Sequence, residues 1–218
     1  MVDQPSLFNP PNNFDDIPEM QPIEAIKINK DIPGINLLEL VPNSAQLALN
    51  RNYSPREIHI GRILSLLSEK EKLEQDMTRD EIIKSISMSK ASAQGTINVM
   101  RKAMLIDADT KITPFGELVA QVAPYLNDIG LLWLLHYLLA SNANLILWSN
   151  LFNFSLQTES DISINEITEI FQVLIGRWSE KTINEKAPKE IGGILGTYTN
   201  EIFAKLSLIQ KREVGIYQ

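Results

Sequence analysis

His136 is the only polar side chain in the apolar run from Gly130 to Ala140, so proton chemistry would have to begin there. A histidine moves protons near neutral pH, but as a catalyst it needs a nucleophile, a carboxylate or a second ligand beside it. No serine, carboxylate or second histidine stands at a spacing that completes a triad or a metal site. A neutral imidazole donating one bond to a backbone carbonyl or a facing asparagine accounts for His136 equally well, and that structural role is the expectation. His59, the other histidine, sits between Ile58 and Ile60 and adds nothing catalytic. The chain has no cysteine, which removes disulfides, thiolate nucleophiles and finger-type zinc sites, and it has no glycine-rich phosphate loop. The adjacent carboxylates are explained locally. Asp80 with Glu81 and Glu166 with Glu169 belong to helix starts, Asp107 with Asp109 to a turn. No catalytic residue, metal site or cofactor is expected, and the chain is read as a binder and not an enzyme.

Binding chemistry is written more clearly. Between Lys90 and Met104, Ala93, Ile97, Met100 and Met104 fall on one arc at 100° per residue, while Gln94, Asn98 and Lys102 fall opposite, flanked by Lys90 and Arg101. Gln and Asn read adenine edges bidentately, and Lys and Arg hold phosphates or guanine. The candidate DNA contacts are Lys90, Gln94, Asn98, Arg101 and Lys102, with Lys111 on a following turn. Trp133, Trp148 and Trp178 would stack bases if exposed, but Trp133 and Trp148 lie in apolar segments without adjoining cations and are expected in the core.

The elements that must position this strip follow from pattern. Pro55 opens a helix with Ile60, Ile63, Leu64 and Leu67 on one stripe and a charged end, Glu69 to Glu74. Thr78 and Glu81 form a capping box for the next helix, with Ile82, Ile83 and Ile86 inward. A break at Ser87-Met88-Ser89 precedes the cationic helix. Leu105-Ile106 and Lys111-Ile112 read as two wing strands around a turn, Asp107 to Thr110. Thr113-Pro114 caps a helix to Val122. The run to Ala140 is apolar on all sides and is expected to be enclosed by other helices, and Leu145 to Phe154 gives a second buried helix. Ser163 to Glu166 is another capping box, for a helix with Ile167, Ile170, Phe171 and Leu174 inside. A last helix is placed from about Lys189 to Leu208, and Glu213 to Tyr217 as a closing strand. No internal repeat of 20 to 50 residues is evident in the sequence.

Seven of the eleven prolines lie in the first 42 residues, which makes residues 1–50 an arm, with Ile23 to Ile28 as one strand and Ile35 to Val41 able to dock on the body or a partner. Its start, MVDQPSLFNPPNNFDD, lacks the basic and apolar stretches of a secretory signal, so a cytoplasmic location is expected. The apolar stretches after Ile129 are interrupted at Ser141 to Asn144, short of the roughly 20 residues a bilayer needs, so no membrane contact is expected. The net charge of −7 argues against indiscriminate coating of nucleic acid and confines any DNA contact to a local strip.

Ile112 to Glu117, Pro124-Tyr125-Leu126, Leu131 to Tyr137, Trp148 and Phe152-Asn153 together resemble a bacterial family, the domain of unknown function numbered four thousand and seven. Gly196 to Thr199 and Leu206 to Ile209 continue the likeness, which covers roughly residues 78–218. That family's opening stretch, rich in His, Phe, Arg and Trp, has no counterpart around Asn50 to Ile63, and its C-terminal end is longer. The resemblance implies phage-defence or DNA-phosphorothioation neighbourhoods, often beside a reductase-like protein that supplies sulfur.

The combined expectation is an all-α, mainly helical chain: a winged helix-turn-helix at residues 51–117 with a small β-hairpin, then a C-terminal helical bundle at 118–218. It is read as a non-enzymatic DNA-binding or scaffolding subunit, with DNA and a protein from the same operon as partners and its own oligomeric state open. The alternative is an adaptor that docks a sulfurtransferase or reductase-like enzyme without touching DNA.

Overall fold

The computed structural model describes residues 45–47, 53–152, 161–172 and 178–218. The expectations for Ile23 to Ile28, Ile35 to Val41, Asn153 and Leu174 lie outside the described residues.

The fold is mainly helical with a small three-stranded antiparallel sheet. Helices α1 (Glu57–Lys72), α2 (Arg79–Ser85), α3 (Lys90–Lys102) and α4 (Pro114–Val122) follow the sequence signals closely. The Thr78 capping box is present in both directions, with Thr78 N–H donating to Glu81 and the Thr78 hydroxyl accepting from the Glu81 backbone. Ser89 caps α3 and Thr113 caps α4, where Pro114 occupies the first turn. Ile60, Ile63, Leu64, Ile82, Ala93, Ile97 and Met100 are buried together, so the stripes of α1 to α3 meet, while Met104, just past the end of α3 and expected on the same arc, is exposed.

The Thr-Pro-Phe-Gly segment is a backbone junction. Thr113 donates from its amide to the Leu105 carbonyl (3.1 Å) and from its hydroxyl to the Met104 carbonyl (2.6 Å). A Cβ at Gly116 would stand 2.0 Å from the Leu105 oxygen, so only glycine lets α4 start against this carbonyl.

Beyond α5 (Ile129–Ala140) and α6 (Ile146–Asn150), the chain forms β1 (Ile162–Ser163), α7 (Ile164–Gln172), α8 (Glu180–Thr199), a 3₁₀ turn at Ala204–Leu206, and the hairpin of β2 (Lys211–Glu213) and β3 (Ile216–Tyr217). The strands lie in the order β1-β3-β2, all antiparallel. One continuous cluster of buried side chains runs from Leu47 to Tyr217, and Gln46 bridges to Leu145, so the end of the arm is tied to the α5–α6 connection. No helix among the described residues is long and apolar enough to cross a membrane.

Four sequence expectations change. The wing strands shrink to a single antiparallel bridge, Ile106 with Ile112, because the intervening turn, with Thr110 in the left-handed region (φ 71°), leaves no further pairs. Helix α8 runs Glu180–Thr199 instead of from about Lys189 to Leu208: Ser179 supplies the N-cap, Pro188 is accommodated inside the helix, and Asn200 takes the C-cap. The closing strand is a hairpin turning at Val214-Gly215, with Gly215 at φ 79°. Finally, α5 is not enclosed. Leu132, Leu135 and Leu139 are buried, but Ile129, Trp133, Leu134 and Tyr137 are 44% to 65% exposed. An all-apolar helix carries no angular signal, so its sequence could not show which side faces the core.

Candidate nucleic-acid interface

Helix α3 contains no acidic residue and turns Ala93, Thr96, Ile97, Val99 and Met100 into the core. Lys90 is exposed at its first turn; Gln94, Asn98, Arg101 and Lys102 are half-buried along the outer side. The strip therefore exists on one helix, in register, and reaches solvent.

Its members are not equally available. Arg79, from the first turn of α2, lies across the strip and donates to Asn98 Oδ1 (3.3 Å) and to the Gln94 carbonyl (3.5 Å). Arg101 is tied to the following turn, donating through Nε to the Asp107 carbonyl (3.2 Å) and through Nη2 to the Thr110 hydroxyl (2.6 Å). Lys111 pairs with Asp76 at 2.7 Å, and the Asp76 carboxylate beside it raises the ammonium pKa. Lys90 and Lys102 are the cations best disposed to meet an external anion, while Arg101 fixes the turn against the helix. Sequence reading missed Arg79. Its place as the first residue after a capping threonine was the available signal, because the start of α2 lies over the outer side of α3.

His136 occupies a different environment. Tyr198, buried completely, lies between it and Trp148: the Trp148 indole N–H donates to Tyr198 Oη (3.1 Å), and His136 Nδ1 lies 2.7 Å from the same oxygen. Indole can only donate, so the tyrosine oxygen accepts from Trp148; in the tautomer with the histidine proton on Nε2, the tyrosine donates its own proton to Nδ1. The Trp148 N–H, the Tyr198 hydroxyl and His136 Nδ1 are then all satisfied. Burial lowers the His136 pKa and raises that of Tyr198 well above its ordinary value, which keeps both neutral. Phe152 stands edge-on to the imidazole at 4.8 Å and Phe203 stacks on Tyr198 at 4.9 Å. The expected carbonyl or asparagine partner is thus replaced by a tyrosine 62 residues away. Trp148 is core as expected, Trp178 is half-buried, and Trp133 is 46% exposed, contrary to expectation. His59 repeats the pairing with Tyr53 at 2.6 Å. Among the described residues no cluster of three His, Asp or Glu has the arrangement of a metal site.

No protein-family profile, characterised protein or solved structure matches the chain.

Proposed function

We propose that this protein is a non-enzymatic DNA-binding or scaffolding subunit in which α1 to α3 and the Asp107–Lys111 turn act as a winged helix-turn-helix. The observation that carries the reading is the acid-free outer side of α3, with Lys90, Gln94 and Lys102 reaching solvent and Arg79 and Arg101 beside them. In such units the second helix lies in the major groove, early residues meet base edges, and flanking cations fix register on the phosphates. The acidic body then suppresses contact elsewhere. The family likeness extends this role to a bacterial DNA-modification or phage-defence system. Its test is duplex binding across a salt series. Replacing Lys90 and Lys102 with Ala lowers the log–log salt slope by about 1 for each phosphate that is no longer neutralised. A flat salt response, or an unchanged slope in that variant, removes DNA from α3.

A second reading, the adaptor, is favoured by the outer side of α4 and α5. Leu118, Val122, Tyr125, Ile129, Trp133, Leu134 and Tyr137 are each at least 44% exposed, and α5 carries no charged residue. Exposed apolar residues grouped on one side mark interaction sites, and one side of a standard interface buries about 800 Å². The occupant that matches is a partner protein with an uncharged apolar helix face. Serine at both Trp133 and Tyr137 then abolishes binding of a hydrophobic dye by a monomeric chain. A parent chain that dimerises with concentration assigns the face to a second copy instead.

A further inference from the structure

The chain from Ile162 to Tyr217 runs strand, helix, helix, strand, strand, and its sheet order β1-β3-β2 places the first strand beside the last. A helix-turn-helix closed by a hairpin has this topology. The segment from α2 through Ile112 follows the same order in reduced form, two helices and a turn closed by one bridge. The two halves also start their helices alike. Ser163 and Glu166 exchange capping bonds at α7 (2.7 and 3.2 Å) as Thr78 and Glu81 do at α2. Ser179 caps α8 and bonds the Thr182 hydroxyl at 2.9 Å, as Ser89 caps α3 and bonds the Ser92 hydroxyl at 2.8 Å. Helix α7, which buries Ile167 and Phe171, packs on α8, and Ile164 approaches Gly192, where an added Cβ would meet it at 3.6 Å.

We infer that residues 162–217 form a second helix-turn-helix module, and that α8 with the β2–β3 hairpin binds the phosphate backbone of duplex DNA. Helix α8 buries Ile183, Ala187, Ile191 and Ile194, while Lys181, Glu185 and Lys189 follow one another every four residues along an exposed side flanked by Lys186. The hairpin adds Lys211 and Arg212, both exposed, with Arg212 held by the Gln218 side chain. Val214, 94% exposed, stands at its tip. Five cations, three on α8 and two on the hairpin, suit phosphates, and the presence of Glu185 and Glu213 among them makes the module a positioning contact and not a strong anchor. Phosphate binding by α8 does not require α3 to touch DNA.

The full chain, titrated with a duplex long enough for both modules over a salt series, separates the two. Replacing Lys181, Lys186 and Lys189 with Ala is expected to lower the salt slope by about 2 to 3 with an unchanged thermal midpoint. Glu185→Lys is expected to raise the slope by about 1, a gain that misfolding cannot produce. An unchanged slope in both variants overturns the inference, whether or not the Lys90 and Lys102 variant loses binding. Loss in the α8 variant with none in the α3 variant sustains it and removes the α3 reading. A parent chain that binds no duplex at low salt overturns both.

Discussion

The two sides of α5 have nearly the same composition and opposite fates. Leu132, Leu135 and Leu139 are buried against the rest of the core, whereas Ile129, Trp133, Leu134 and Tyr137 meet solvent. His136 lies at the border, held from inside by Tyr198 and Trp148. The contrast teaches that an apolar helix is not thereby an interior one. What decides burial is which neighbours arrive, here α6, the 3₁₀ turn and, through Tyr198, α8.

The contrast breaks most visibly on the inside. Leu135→Ala is expected to cost about 2 to 5 kcal/mol in denaturant unfolding, from lost transfer energy and the cavity left behind. A cost below about 1 kcal/mol would place the inner side nearer solvent than described. Next comes Tyr198→Phe, which strands the Trp148 indole and His136 Nδ1 and is expected to cost about 1 to 3 kcal/mol. The same network sets a pH dependence. Because burial lowers the His136 pKa in the native state, the unfolded chain takes up the proton first as pH falls. The contribution is therefore complete above the ordinary histidine value of 6.5 and is lost as pH drops below it toward the native value. His59 is lowered in the same sense, by burial and then Arg56 and Arg62, so the comparison is with His136→Gln, whose melting midpoint should fall less between neutral and acidic buffer. Equal falls in parent and variant would remove His136 from the effect. Smallest is Tyr137→Ser on the outer side, expected within about 0.5 kcal/mol of the parent in the same unfolding assay. A larger loss would show that this side is covered.

Much of the local structure was legible. Capping pairs such as Thr78 with Glu81 and Ser163 with Glu166 act within one turn, so their residues report their own geometry. The α3 strip was legible for the same reason, since a mixed face has a direction at 100° per residue. The availability of its members was not. Asn98 engages Arg79 19 residues away, Arg101 engages Thr110, and Lys111 pairs with Asp76, all of which depend on how the chain turns back. The bounds of α8 were misplaced because its packing against α7 and the 3₁₀ turn is not local.

Spacing and residue type by themselves determined where α2, α3, α4 and α7 begin, which side of a mixed helix is apolar, and that α3 carries a polar strip free of acidic residues. Tertiary structure alone decided that α5 keeps a bare apolar side, that His136 pairs with Tyr198, and that β1 and the last two strands form one sheet. The physical reason is range. Caps and periodicity are settled within a few residues, while burial and long-distance hydrogen bonds are properties of neighbours that sequence order does not place side by side.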